Sequence, residues 1–453
     1  MRLTLGAASL LLLGLGCAAK PSTAQRADQP APALPAAPEK RGSVGVSRRA
    51  SPAELSLVQT LMRETEALRG LRFRAPVEVT IDDARALRAY VDRALRDTQL
   101  QRAMRRYVAL GALEPSVDIR ALLLAVMDEE LIGYYDPTEK RLAVRADIAR
   151  ALGAATASHE RSLTWRATVV HELVHALQDQ HFALGETIER ERSTDEDNAF
   201  GALIEGDATF VMLAYTAQQA GETIATLAEH PEQILSAMTR SPDQLTGALR
   251  RAPALLREPL LFRYREGAYF CAQLYRAGGW ARVDAAHRAP PRSTLSLTRV
   301  ERYLQDQPEP TVALPSLDRL LAAGFAKLDE DVLGGLELSI MLGSVGAEAD
   351  AILGAWRGDR YAVLQRAGQL ASIWWLRLAT PRSAKSVALA FTRLGDSTRR
   401  VVRRGNLLLV ARGLDAATFA KEASTTPDLH TVSKANASPL VRGDPLATAG
   451  PRH

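Results

Sequence analysis

The sequence predicts an α+β chain in which a mainly helical domain with a small edge-strand sheet (residues 52–312) precedes a smaller α+β domain (313–424). Three observations predict it. From Pro52 to about Leu113, and between proline breaks from Pro231 to Leu304, apolar residues recur with a helical rather than an alternating period. The run LLLAVMDEELIGYYDPTEKRLAVR, Leu122 to Arg145, reads as a helix, a Gly133-Tyr134-Tyr135 segment, a turn at Asp136-Pro137 and a strand through Leu142 and Val144. Past about Pro315, a helix near Leu333 to Leu353 leads into strand-like runs at Tyr361–Arg366, Ser372–Ala379, Val401–Arg404 and Leu407–Arg412. With 453 residues, 47% of them hydrophobic, the chain can bury a large core, and its length suits two domains.

The first element is a targeting segment. Arg2 is followed by the apolar run LTLGAASLLLLGLG, too short to span a bilayer as a mature helix, so residues 1–17 read as a signal peptide. Its end, Leu13-Gly14-Leu15-Gly16-Cys17, resembles the bacterial lipobox, with Gly14 where that motif usually has Leu. The resemblance implies that Cys17 is lipidated and that acyl chains tie the protein to the cell envelope. Ala18 after the cysteine implies, by the same likeness, the outer membrane. Residues 18–51 are rich in Pro and Ala with no hydrophobic period and form a linker.

Ser51 is suited to cap a helix with Pro52 in its first turn, and Asp82 and Asp83 to start another through Tyr90 and Leu95. From about Leu163 to Leu184, Val169, Val170, Leu173, Val174 and Leu177 describe a largely buried helix. A further helix from about Asp195 to Ala220 contains GALIEGDATFVMLAY, where acids sit inside an apolar stretch and require partners. Cys271, amid Ala268-Tyr269-Phe270, reads as a buried, inert thiol. Residues 425–453 read as a flexible tail. The 57 basic and 52 acidic residues leave a net charge of +5 spread along the chain without a dense block, so no nucleic-acid partner is expected.

The chemistry is concentrated in His171-Glu172-Leu173-Val174-His175. Histidines at i and i+4 lie one above the other on a helix face, where both imidazoles can ligate one zinc ion at about 2.0–2.1 Å. Glu172, one residue round, sits beside the metal without having to bind it, and can take a proton from water and pass it to a leaving amine. HELVH on a helix resembles the HExxH motif of the zincin metallopeptidases.

A catalytic zinc takes three protein ligands, and two residues compete to be the third. Glu205, in Ile204-Glu205-Gly206-Asp207-Ala208, is a carboxylate that burial would penalise unless a cation lay beside it. HELVH on one helix with this Glu on the next resembles the gluzincin arrangement. His181 stands at the metzincin spacing HExxHxxGxxH, but Gln178 replaces the glycine that turns the chain there, and Met212 lies in a helical run. Asp179 and Asp207 are candidates to orient the imidazoles, and Tyr264, Tyr269 and His287 to stabilise an oxyanion. By the zincin resemblance, Lys140 to Val144 is the expected edge strand along which an extended substrate pairs.

These readings converge on a zinc-dependent hydrolase, with a peptide or protein as the expected substrate, one zinc ion, and Glu172 as the base acting on water polarised by the metal. Two alternatives share the same residues: a non-catalytic zinc-binding lipoprotein of the envelope, and a zinc hydrolase of a non-peptide amide or ester.

Overall fold

The computed structural model describes residues 45–153, 159–239, 244–245, 247–313 and 315–425. The signal peptide with Cys17, most of the Pro/Ala-rich linker and the tail beyond residue 425 lie outside the described residues. The fold is α+β, mainly helical with two small sheets.

Three helices form the centre. His159–Phe182 carries HELVH, Thr194–Gln219 carries Glu205, and Ala254–Arg288 packs against the second. Thr194–Gln219 is buried on nearly every side from Asn198 to Tyr215, which its almost unbroken apolar sequence requires. Its N-terminus is capped by the Ser193 hydroxyl, which accepts from Glu196 N–H at 3.2 Å. It meets Ala254–Arg288 at a glycine pair: a methyl group on Gly206 would come within 2.1 Å of the Gly267 carbonyl carbon, and one on Gly267 within 2.0 Å of the Ala202 oxygen. Only glycines allow backbones this close. Farther along, the long helix breaks at Gly278 and Gly279, the latter with φ 64° and ψ −162°, a region that glycine alone adopts at low cost. Beyond the break, Asp284 and His287 are brought against Arg69 of the first helix, Pro52–Arg69, and against Asp207.

The first sheet contains β1 (Ser47–Arg49), β2 (Glu78–Asp82), β3 (Gly133–Asp136) and β4 (Arg141–Arg145) in the order β1-β2-β4-β3. The expected edge strand at Lys140 to Val144 is therefore an interior one. β4 pairs with β3 on one side and in parallel with β2 on the other, so the edge beside the HELVH helix is β3. The reason is β2, a short strand inside a stretch whose apolar spacing otherwise reads as helix.

The second sheet holds β5 (Ala326–Asp331), β6 (Trp356–Arg366), β7 (Gln369–Leu378), β8 (Arg399–Arg404) and β9 (Leu407–Arg412), ordered β5-β6-β7-β9-β8 and antiparallel throughout. Alternation along its strands divides the side chains between two cores. Tyr361, Val363, Trp374, Leu376, Leu408 and Val410 join the main core shared with the helices. Ala362, Leu364, Ile373, Trp375, Leu409 and Ala411 pack on Leu317, Leu320 and Phe325. Helix Asp97–Ala109 ties this sheet to the helical part: Ser372 Oγ donates to Ala109 O at 2.8 Å and Arg412 Nη1 to Val108 O at 3.0 Å. The helix expected near Leu333 to Leu353 is two, Gly334–Gly343 and Ala349–Ala355.

Gly206→Ala forces Thr194–Gln219, which carries Glu205, away from Ala254–Arg288, and we expect it to destabilise the fold by about 1–3 kcal/mol, as overpacking of a close contact does. Urea denaturation of the variant against wild type measures this, and an unchanged midpoint would show that the contact is not tight.

Candidate metal centre

His171 and His175 sit on the buried face of their helix because i and i+4 share a face and the residues around them, Val170, Leu173, Val174 and Leu177, are all inside. That face meets the neighbouring helix at Glu205. His171 Nε2 lies 3.2 Å from Glu205 Oε2 and 3.2 Å from His175 Nε2, and His175 Nε2 lies 3.5 Å from the same Oε2. Three atoms at tetrahedral positions about 2.0–2.1 Å from one metal ion would stand about 3.3 Å apart. The three residues are all but fully buried, and Glu205 Oε1, at 0% exposure for the residue, has no hydrogen-bond partner. A buried, incompletely satisfied carboxylate beside two imidazole nitrogens suits a cation. This group can hold a metal ion.

The charges are strongly coupled. Burial alone would push the Glu205 carboxyl up, but His175 and His171 hold it down at about 2. Burial works against a charged His175 too, yet the Glu205 carboxylate outweighs it and raises the imidazole to about 9. His171 is depressed, first by burial, with neighbouring His175 adding to the effect. In the metal-free protein the corner thus keeps a proton on His175.

Around these three, Glu172 Oε2 accepts the backbone N–H of Tyr135 on β3 at 3.0 Å, so the edge strand positions the carboxylate. The Tyr264 ring stacks on His171 with centroids 6.0 Å apart, and its hydroxyl is buried beside Glu205. Burial, with Glu205 and Glu172 adding to it, pushes this phenol well above its ordinary value, so it stays a neutral donor.

No family model, curated protein or solved structure matches this chain. The reading of the site therefore rests on its own geometry.

Other residues singled out from the sequence lie elsewhere. His181 stays on the helix, which runs on to Phe182, and its Nε2 is 2.8 Å from Arg72 O, away from the histidine pair. Gln178 continues the helix where a turn would be needed to bring His181 back. Asp179 does not orient an imidazole: its Oδ2 accepts from Tyr135 Oη at 2.8 Å and Lys140 Nζ at 2.7 Å, and its Oδ1 from Gly185 N–H, which pins the β3–β4 hairpin to the motif helix. His287 is not at the corner; its Nε2 is 2.8 Å from Asp207 Oδ2 and its ring stacks on Phe182. Tyr269, five positions beyond Tyr264, is rotated from it by about 140° on an α-helix and so points elsewhere. Asp207 is fully buried but reaches His175 only through Gln178.

Gln178, Arg69 and Asp284 were not foreseen from the sequence. For Gln178 a signal existed, since a residue at i+3 from His175 shares its helix face. Arg69 lies 138 residues from its partner Asp207, a separation at which no local pattern applies.

Zinc titration followed by gel filtration should give one equivalent in wild type and in His181→Ala, and none in Glu205→Ala. Because a ligating imidazole must be neutral and His175 is held at about 9, affinity should fall as pH drops below about 9, by up to roughly tenfold per pH unit for one displaced proton. Calorimetry in buffers of different ionisation enthalpy would read the proton release, and pH-independent affinity would contradict the assignment.

Proposed function

We propose that this chain is a zinc-dependent peptidase of gluzincin-like organisation, attached to the bacterial envelope through Cys17. The observation that carries this reading is Glu172: a carboxylate that is not one of the three converging ligands, yet is buried beside them and aimed by an edge-strand amide. A scaffold that only bound metal would gain nothing from such a group.

The spacing of His171, His175 and Glu205 matches zinc, and two nitrogens with one carboxylate are a zinc-type donor set rather than the oxygen shell of calcium or magnesium. Zinc in this corner would polarise a substrate carbonyl and make water a stronger acid and nucleophile at neutral pH. The chain's own residues do the rest. Glu172 takes the proton of the attacking water and returns it to the departing amine nitrogen, which leaves as a neutral group. The Tyr264 hydroxyl, buried beside this corner and kept neutral, would donate to the oxygen that gains negative charge. The outer edge of β3 already directs the Tyr135 N–H toward Glu172, and an extended peptide laid along that edge would bring its scissile bond to the same corner.

The zinc-loaded protein, tested on a peptide library, should cleave; chelation should abolish cleavage and added zinc restore it. Glu172→Gln should keep its zinc and lose about 10²–10⁴-fold in kcat, the usual worth of a general base. A zinc-replete wild type that cleaves no peptide would overturn the peptidase reading in favour of the scaffold or non-peptide alternatives. For the anchor, Cys17→Ser should shift the protein from the membrane fraction to the soluble one; unchanged fractionation would remove Cys17 as the attachment point.

A further inference from the structure

We propose that Gln178 is a positioning residue for the metal centre: its side-chain amide, oriented from behind by Ile204 and Asp207, holds His175 in the tautomer whose Nε2 lone pair faces His171 and Glu205. This rests on the metal-site reading and adds a part to it that HELVH does not contain.

A primary amide has one accepting and one donating end, so its partners determine which way it points. Gln178 Nε2 lies 3.0 Å from the Ile204 carbonyl oxygen and 3.1 Å from Asp207 Oδ2. A backbone carbonyl and a carboxylate only accept, so both require the NH₂ end. Gln178 Oε1 is then the atom 2.9 Å from His175 Nδ1, and being an acceptor it requires a proton on that nitrogen. With Nδ1 as the donor, a neutral imidazole presents its lone pair at Nε2, the atom at the ligand corner.

Asp207 can direct the amide because it is itself locked. Its Oδ1 accepts from Arg69 Nε at 2.8 Å, and its Oδ2 lies 2.8 Å from His287 Nε2. Arg69, also fully buried, donates through Nη2 to Asp284 at 2.7 Å and lies over the Trp280 ring, 4.4 Å from its centroid. Residues from the first helix and from beyond the Gly278–Gly279 break thus set one amide. Breaking a buried, paired charge is costly, so this arrangement does not rotate. Gln178 is itself buried and lies three residues after His175, a spacing that places the two side chains side by side on one helix face.

The test uses the full chain, zinc ion alone as the probe, and two variants. Gln178→Met keeps the length and much of the volume but has no acceptor; we expect zinc affinity to fall about 10- to 100-fold, the usual effect of losing an outer partner of a ligating histidine. Gln178→Glu can act in its protonated form, donating O–H to Asp207 while its carbonyl oxygen accepts from His175 Nδ1, and should recover most of the affinity. A packing role would give the opposite order, with Met tolerated and Glu harmful. NMR of ¹⁵N-labelled imidazoles supplies a readout that folding alone does not move: wild type should show a slowly exchanging His175 Nδ1–H that Gln178→Met loses, with or without zinc. Wild-type affinity and an intact Nδ1–H signal in Gln178→Met would overturn the proposal. If wild type bound no zinc, the metal reading would fall, and the exchange of the Nδ1–H in the metal-free proteins would still decide whether Gln178 Oε1 holds that proton on His175.

Discussion

Two carboxylates buried on one helix constrain the rest of this structure. Glu205 and Asp207 are two residues apart, so they point to opposite sides of Thr194–Gln219, and neither is accessible to water. An ionised carboxyl in such a place costs several kcal/mol unless charge and hydrogen bonds compensate it. Asp207 finds its compensation within the chain, in Arg69, His287 and Gln178. Glu205 meets two imidazoles, with one oxygen left over. The first arrangement is that of a structural ion pair, the second that of a cation site.

Much of the surrounding architecture follows from serving both sides of that helix. The Gly206–Gly267 contact lets Ala254–Arg288 approach closely enough for Tyr264 to stack on His171. The break at Gly278 and Gly279 then turns the same chain so that Asp284 and His287 reach the Asp207 side. On the other flank, Asp179 holds the β3–β4 hairpin to the motif helix, which places the Tyr135 amide on Glu172. An acid expected to orient an imidazole thus orients a strand, and the imidazole is served by the residue before it.

The α+β class and most long helices were legible because periodicity is a local property that survives in almost any tertiary setting. The four strand-like runs after Pro315 appear as β6 to β9, since alternation toward two cores leaves a clear trace in Tyr361 to Arg366 or Leu407 to Arg412. β1, β2 and β5 were not legible, and β1, three residues at the end of the stretch read as linker, is a strand only because it pairs with β2. β2 is five residues long between helices, and β5 is an edge strand carrying Lys327, Asp329, Glu330 and Asp331, charges that suit an exposed edge and hide the strand pattern. Missing β2 made β4 look like an edge, because whether a strand is interior depends on a partner elsewhere in the chain.

The amino-acid sequence by itself determined that His171 and His175 share a helix face with Glu172 one step aside, because 3.6 residues per turn relates them without reference to anything else. It also narrowed the third group to Glu205 or His181. The tertiary structure alone decided between them, since that depends on how the next helix crosses the first and on the motif helix running straight through Gln178 to Phe182. It alone also assigned Gln178 its place behind His175, because the groups that orient that amide converge from three separate segments, and their meeting is settled by packing and charge burial rather than by spacing along the chain.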